Sequence, residues 1–239
     1  MKYKQYTKIL LIFTIPISLY SFSEYNSNSK PIKSLEINFI GENNLFISKD
    51  SVDKLLIQNN EYIECIGKDI LDIKYIENKL LSNNMIDEAQ VYLRINGQLI
   101  INIIQRKPIA RVVSSPSFYI DSNGNKMPLS EEYSARVLLV HGLNIDSDLN
   151  NIFKIIEIIK RDEFLSLYVT DILVGQESNY NFRIRDANLE IQVGNLKDIN
   201  KKMRNFKAFY QNAKQKKILK NYKTVNLQFN NQVVCTKKI

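Results

Sequence analysis

The stretch AQVYLRINGQLIINIIQR, residues 89–106, limits the fold more than any other part of the chain. Asn96-Gly97 between apolar runs is a strong hairpin signal, because both residues tolerate the positive φ of a type I′ turn. A two-residue turn pairs Ile95 with Gln98, and the register follows outward. In the first arm Ala89, Val91, Leu93 and Ile95 alternate with Gln90, Tyr92 and Arg94, the period of a strand with one buried face. The second arm, LIINII, is apolar on both faces except at Asn102. It belongs inside a sheet, with a neighbour on each edge.

The second neighbour is SLEINFIG, where Leu35, Ile37 and Phe39 share one face and Gly41 ends the strand. Between these strands, Ser48 can cap a helix through Val52, Leu55 and Leu56. Asp72 can cap another carrying Ile73, Ile76, Leu80 and Leu81 on one stripe. A strand-helix-helix-strand-strand unit over residues 32–107 is expected.

A second unit, 108–239, begins at Lys107-Pro108. ARVV, SFYI and ARVLLVHG read as strands, with a hairpin turn at Asn123-Gly124. Asp148 or a neighbour opens the helix NNIFKIIEIIKR. Its isoleucines and Phe153 cover more than half the circumference, which implies deep burial. Strands follow around LYVTDILV, YNFRIR and LEIQV, then a basic helix from about Leu196 to Lys216. The chain closes with YKTVNLQF and QVVCT flanking Asn230-Asn231, a hairpin whose last strand is an exposed edge. The fold class is α+β: two mainly antiparallel units, each with helices against a sheet.

The 239 residues carry a net charge of +8, unevenly placed. Lys2, Lys4 and Lys8 contribute +3, residues 24–196 carry −6, and residues 197–239 carry +11. Between Lys8 and Glu24 lies the uncharged run ILLIFTIPISLYSFS, residues 9–23, an export signal or a membrane anchor. Its shortness and the small-x-small triplet Ser21-Phe22-Ser23 suit cleavage, whereas Pro16 and the serines are tolerated in a membrane helix. Either way residues 1–8 stay in the cytoplasm, and residues from about 24 onward, beginning with the polar linker EYNSNSKP (24–31), are exported. Cys65 and Cys235 then face an oxidising compartment, as two separate thiols or as a long-range bridge.

Catalytic patterns are missing. The one histidine, His141, has no G-x-S-x-G or comparable context, and no H-E-x-x-H, Cys-x-x-Cys pair or phosphate-cradling glycine loop occurs. Asp121, Asn123, Asn125 and Glu132 mimic calcium-loop spacing, but Lys126 stands where the loop needs glycine. No metal, cofactor or small-molecule substrate is expected. In the basic helix Ile199, Met203, Phe206, Tyr210 and Ala213 step by four and three, a core stripe and not a nucleic-acid surface.

The order of these features resembles the bacterial cell-division family FtsQ/DivIB. The residues that carry the resemblance are VYLRINGQLIINIIQRKPIARV, FYIDSNGNKMPL, the NLKDINKKMRNFKAFY helix and YKTVNLQFNNQVVC. The first unit resembles that family's POTRA domain and the second its β-domain. The resemblance implies a single-pass inner-membrane protein at the division septum, anchored through Ile9 to Ser23, its bulk in the periplasm. It implies a scaffold without catalytic activity that recruits FtsB and FtsL, with FtsK as a further partner. The family's partner-binding hairpin carries over to Phe229, Asn231, Gln232, Val233, Val234, Cys235 and Thr236. Lys237 stands where family members can carry Trp. A POTRA unit also serves outer-membrane protein assembly and secretion, where such units repeat ahead of a β-barrel; here one unit is visible and no barrel-like strand series.

Overall fold

A computed structural model describes residues 14–18, 32–42, 44–56, 71–143, 149–176, 179–185, 187–229 and 232–238. The chain divides into two compact units, Met1–Gln105 and Arg106–Ile239. Residues 14–18 are helical, and the rest of the expected anchor, 9–23, lies outside the described residues. No helix among the described residues is long and apolar enough to cross a membrane.

The first unit holds strands β1 (Ser34–Ile40), β2 (Ile86–Leu93) and β3 (Gln98–Gln105), with helices α1 (Lys49–Leu56) and α2 (Ile73–Leu81) between β1 and β2. The strand order is β1-β3-β2, parallel for β1–β3 and antiparallel for β2–β3, so the doubly apolar strand is central. Both helix caps form as expected. Ser48 Oγ accepts the Ser51 N–H at 3.2 Å, and Asp72 Oδ1 accepts the Tyr75 N–H at 3.0 Å. Val52, Leu56, Ile76 and Leu80 close over Ile37, Val91, Leu99, Ile101 and Ile103 in one core. Gln105, 3% exposed, is its polar anchor: Oε1 accepts the Phe46 N–H and Nε2 donates to the Ile47 carbonyl, both at 2.9 Å.

The hairpin itself differs from the expected two-residue turn. Arg94 and Gln98 close it: the Arg94 N–H donates to the Gln98 carbonyl and the Gly97 N–H to the Arg94 carbonyl, both at 2.9 Å. Gly97 has φ +90° while Asn96 does not enter the left-handed region; its side-chain oxygen instead accepts the Gln98 N–H at 3.1 Å. The loop is therefore Ile95-Asn96-Gly97, with Ile95 fully exposed, and Val91 stands opposite Ile101. A two-residue turn would set Val91 against Asn102. Burying Val91 and Leu93 with Leu99 and Ile101 outweighs the turn preference.

The second unit is one nine-stranded sheet with helices on one face. Its strands are β4 (Pro108–Val113), β5 (Phe118–Asp121), β6 (Lys126–Met127), β7 (Leu138–His141), β8 (Val169–Val174), β9 (Tyr180–Ile184), β10 (Ala187–Gly194), β11 (Tyr222–Asn226) and β12 (Val234–Lys237). Helices α3 (Leu149–Arg161) and α4 (Glu163–Tyr168) precede β8, and α5 (Ile199–Gln215) precedes β11. The order is β12-β11-β10-β9-β8-β7-β4-β5-β6, parallel at β4–β7, β7–β8 and β10–β11 and antiparallel elsewhere. The expected start of α3 at Asp148 lies outside the described residues. Leu167 and Tyr168, expected to begin a strand, instead end α4, because Asp162 caps that helix by accepting the N–H groups of Phe164 and Leu165.

Ile152, Ile155, Ile156 and Ile159 of α3 and Met203, Phe206, Tyr210 and Ala213 of α5 are buried on the inner face of the sheet. The stripe read from α5 is thus core. On the opposite face the register aligns Thr236, Thr224, Glu190, Arg183, Asp171, Leu139 and Arg111 in one row. Such alternation leaves one face of the sheet to solvent.

Candidate docking edge

Val225 within β11 and Leu227 just beyond it hold this strand on the core, both almost fully buried. The Leu227 N–H donates to the Gln192 carbonyl of β10 at 2.9 Å. Residues of a strand alternate in the direction of their backbone groups, so Val225 also points to β10, whereas Thr224 and Asn226 point to β12. In the β11–β12 register Asn226 stands opposite Val234, Val225 opposite Cys235 and Thr224 opposite Thr236. Val234 and Thr236 therefore exchange hydrogen bonds with β11, and the N–H and C=O of Cys235 point outward. The far end agrees: the Lys238 N–H turns inward to the Asn221 carbonyl at 2.8 Å, which leaves those of Lys237 facing out. Strand β12 is the last in the order, with β11 as its one neighbour among the described residues.

The hairpin is wider than the tight turn expected from Asn230-Asn231. Ladder pairing stops at Asn226 and resumes at Val234. Gln232 and Val233, expected within the last strand, lie ahead of it, and Lys237 lies within it. Asn231 lies outside the described residues. Phe229 is 49% exposed and Val234 42% exposed. Val233 and Cys235 pack against the inner core, and Val234 and Thr236 take the other face. Beside the strand, Gln232 and Val233 form one wall of an open groove of about 540 Å³ whose other wall is Lys201, Asn205, Ala208, Phe209 and Asn212 of α5. Phe209 meets Tyr222 edge-on with ring centroids 5.6 Å apart, tying α5 to the start of β11.

The last part of the sequence is strongly basic, with Asp198 the acid that acts on Lys202. From residue 199 onward the chain has no Asp or Glu, and Lys201, Arg204, Lys223, Lys237 and Lys238 are all on this part of the sequence. Lys202 is partly occupied: its Nζ donates to the carbonyls of Val193 and Asn195 at 2.9 and 2.8 Å, and burial pulls its pKa below the ordinary lysine value. Burial also pushes the Cys235 thiol up, so it holds its proton. Among the described residues Cys235 is a free thiol, and Cys65, with the bridge it could form, lies outside them.

Two polar groupings were not legible in the sequence. His141 Nε2 lies 2.9 Å from Asp171 Oδ1 across neighbouring parallel strands, on the solvent face. Asp121, 1% exposed, accepts the N–H groups of Asn123 and Asn125 on Oδ1, with Arg106 at 3.4 Å from Oδ2. The calcium-like spacing thus serves a turn. Among the described residues no group of three or more acidic, His or Cys side chains is placed to hold a metal ion.

Residues 107–236 match the family model described as FtsQ/DivIB, C-terminal related, which spans more than half of the chain. The chain belongs to the FtsQ/DivIB family. Residues 32–104 match a POTRA-like domain, the part that precedes the family's C-terminal region here. A search of curated proteins finds no match. Membership makes this a division-associated scaffold, which works by protein–protein interaction within the division machinery.

Proposed function

We propose that the protein has no catalytic activity and recruits division proteins of the FtsB and FtsL type by adding a strand of the partner to β12. The observation that carries this reading is the outward direction of the Cys235 and Lys237 backbone groups on a terminal strand. Strand addition draws affinity from main-chain hydrogen bonds and selectivity from alternate side chains. Here Val234 and Thr236 offer one face, and Phe229 stands exposed where the partner strand leaves or enters. The cations around the edge favour a partner with acidic flanks and speed its encounter. FtsK is the further partner this reading admits. Residues 9–23 would hold the protein in the inner membrane, with 1–8 in the cytoplasm and both folded units in the periplasm at the septum.

A pull-down of the full-length protein from solubilised membranes, read by mass spectrometry, tests the proposal. Cys235→Pro removes an outward donor and leaves the inner ladder intact. Cys235→Ser controls for the lost thiol. Small coiled-coil division proteins are expected with wild type and with the serine variant, and absent with proline. Equal recovery with the proline variant would overturn strand addition at this edge.

A further inference from the structure

A second concavity lies away from β12, where β4, β7 and β8 begin and α3 ends. Its volume is about 560 Å³, within the roughly 300–1,000 Å³ range of binding pockets. Ile109, Ile156 and Val169, all nearly inaccessible, form its apolar floor. Around that floor stand Arg136 from the segment before β7, Lys160 from the last turn of α3, and Arg185 just after β9. None of the lining residues is acidic, although residues 24–196 are net negative.

The three cations differ from their neighbours. Arg161 pairs with Glu157 at 2.9 Å and Lys207 with Asp162 at 3.6 Å. The side chains of Arg136, Lys160 and Arg185 make no ion pair with a described residue. Lys160 also offsets the C-terminal end of the α3 dipole, but the two arginines have no such local duty. Arginine presents a planar fork suited to carboxylates, and two of them on the rim of an apolar floor define a complementary ligand. We propose that this pocket is a second docking site, which takes a partner segment with an apolar side chain flanked by carboxylates. The apolar side chain fills the floor while the carboxylates meet Arg136 and Arg185. Because β8 is four strands from β12, and β4 six, the pocket is about 20–30 Å from the docking edge. Both sites can be filled at once.

The test is fluorescence anisotropy of a labelled heptapeptide alternating Glu and Leu, titrated with full-length protein in detergent. Binding is expected, weakened at least about tenfold by Arg136→Glu with Arg185→Glu, weakened likewise when Gln replaces Glu in the peptide, and unchanged by Cys235→Pro. Circular dichroism of the double variant checks that its fold is retained. Absence of binding by the wild type, or equal binding by the double variant or the Gln peptide, would overturn the proposal. So would arginine-dependent binding of inorganic phosphate without binding of the peptide, which would make the pocket a simple anion site.

Discussion

Leu227 donates its N–H to the Gln192 carbonyl, and this bond sets the direction of the backbone groups through the last hairpin. With Leu227 and Val225 turned to β10, Thr236 must turn to β11 and Lys237 away from it. Proline should separate the two. Thr236→Pro removes a ladder bond and should lower stability by about 1–2 kcal/mol. Lys237→Pro, one residue further, should change it by less than about 0.5 kcal/mol. Urea unfolding followed by circular dichroism checks the difference; equal losses would mean that the strand alternation is wrong.

Gly142 ends β7 at φ +75°, and a Cβ there would lie 2.4 Å from the Val174 carbonyl oxygen. That oxygen belongs to backbone and cannot swing aside. Gly142→Ala should therefore cost at least about 2 kcal/mol, combining the left-handed backbone penalty with a displaced β8 end. A shift of the unfolding midpoint to lower urea is the expected reading.

Gln105 is buried and holds both sides of the loop at Phe46 and Ile47. Gln105→Leu keeps the apolar contacts but removes the two buried hydrogen bonds to the Phe46 N–H and the Ile47 carbonyl. The expected loss is about 2–4 kcal/mol, with the Phe46 amide exchanging far faster by NMR. An unchanged Phe46 amide would show that the loop is held by other means.

The elements with strong periodicity are legible in the sequence: Ser48 and Asp72 cap the helices assigned to them, and the Ile152–Ile159 and Met203–Ala213 stripes are core. Turn register is not. At Asn96-Gly97 and at the last hairpin the local turn preference points one way and the buried alternation, which the sequence also displays, points another. Val91 with Ile101, and Val225 with Leu227, decide the loops. The docking edge is readable as a terminal strand, but which of its amides face outward depends on the β10–β11 bond. Arg136, Lys160 and Arg185 come from separate elements, and no local pattern joins them.

The Cys235 thiol offers a pH test. Burial disfavours its thiolate, so the folded protein keeps the proton to higher pH than the unfolded chain does. Stability contributed by this group is full below the unfolded thiol's pKa and declines as pH rises through it towards the folded value. In a Cys65→Ser background, the pH midpoint for iodoacetamide reaction should be higher for native protein than for protein in urea. Coincident midpoints would contradict the packing of Cys235 against the core.

The most direct measurement is hydrogen exchange at β12 in the full-length protein, with and without an FtsB-type partner bound. Free, the Val234 and Thr236 amides should be protected and those of Cys235 and Lys237 should exchange freely. On binding, Cys235 and Lys237 should slow by at least about tenfold as they donate to the incoming strand. If a bound partner leaves both amides exchanging as before, the partner docks elsewhere and strand addition at β12 is wrong.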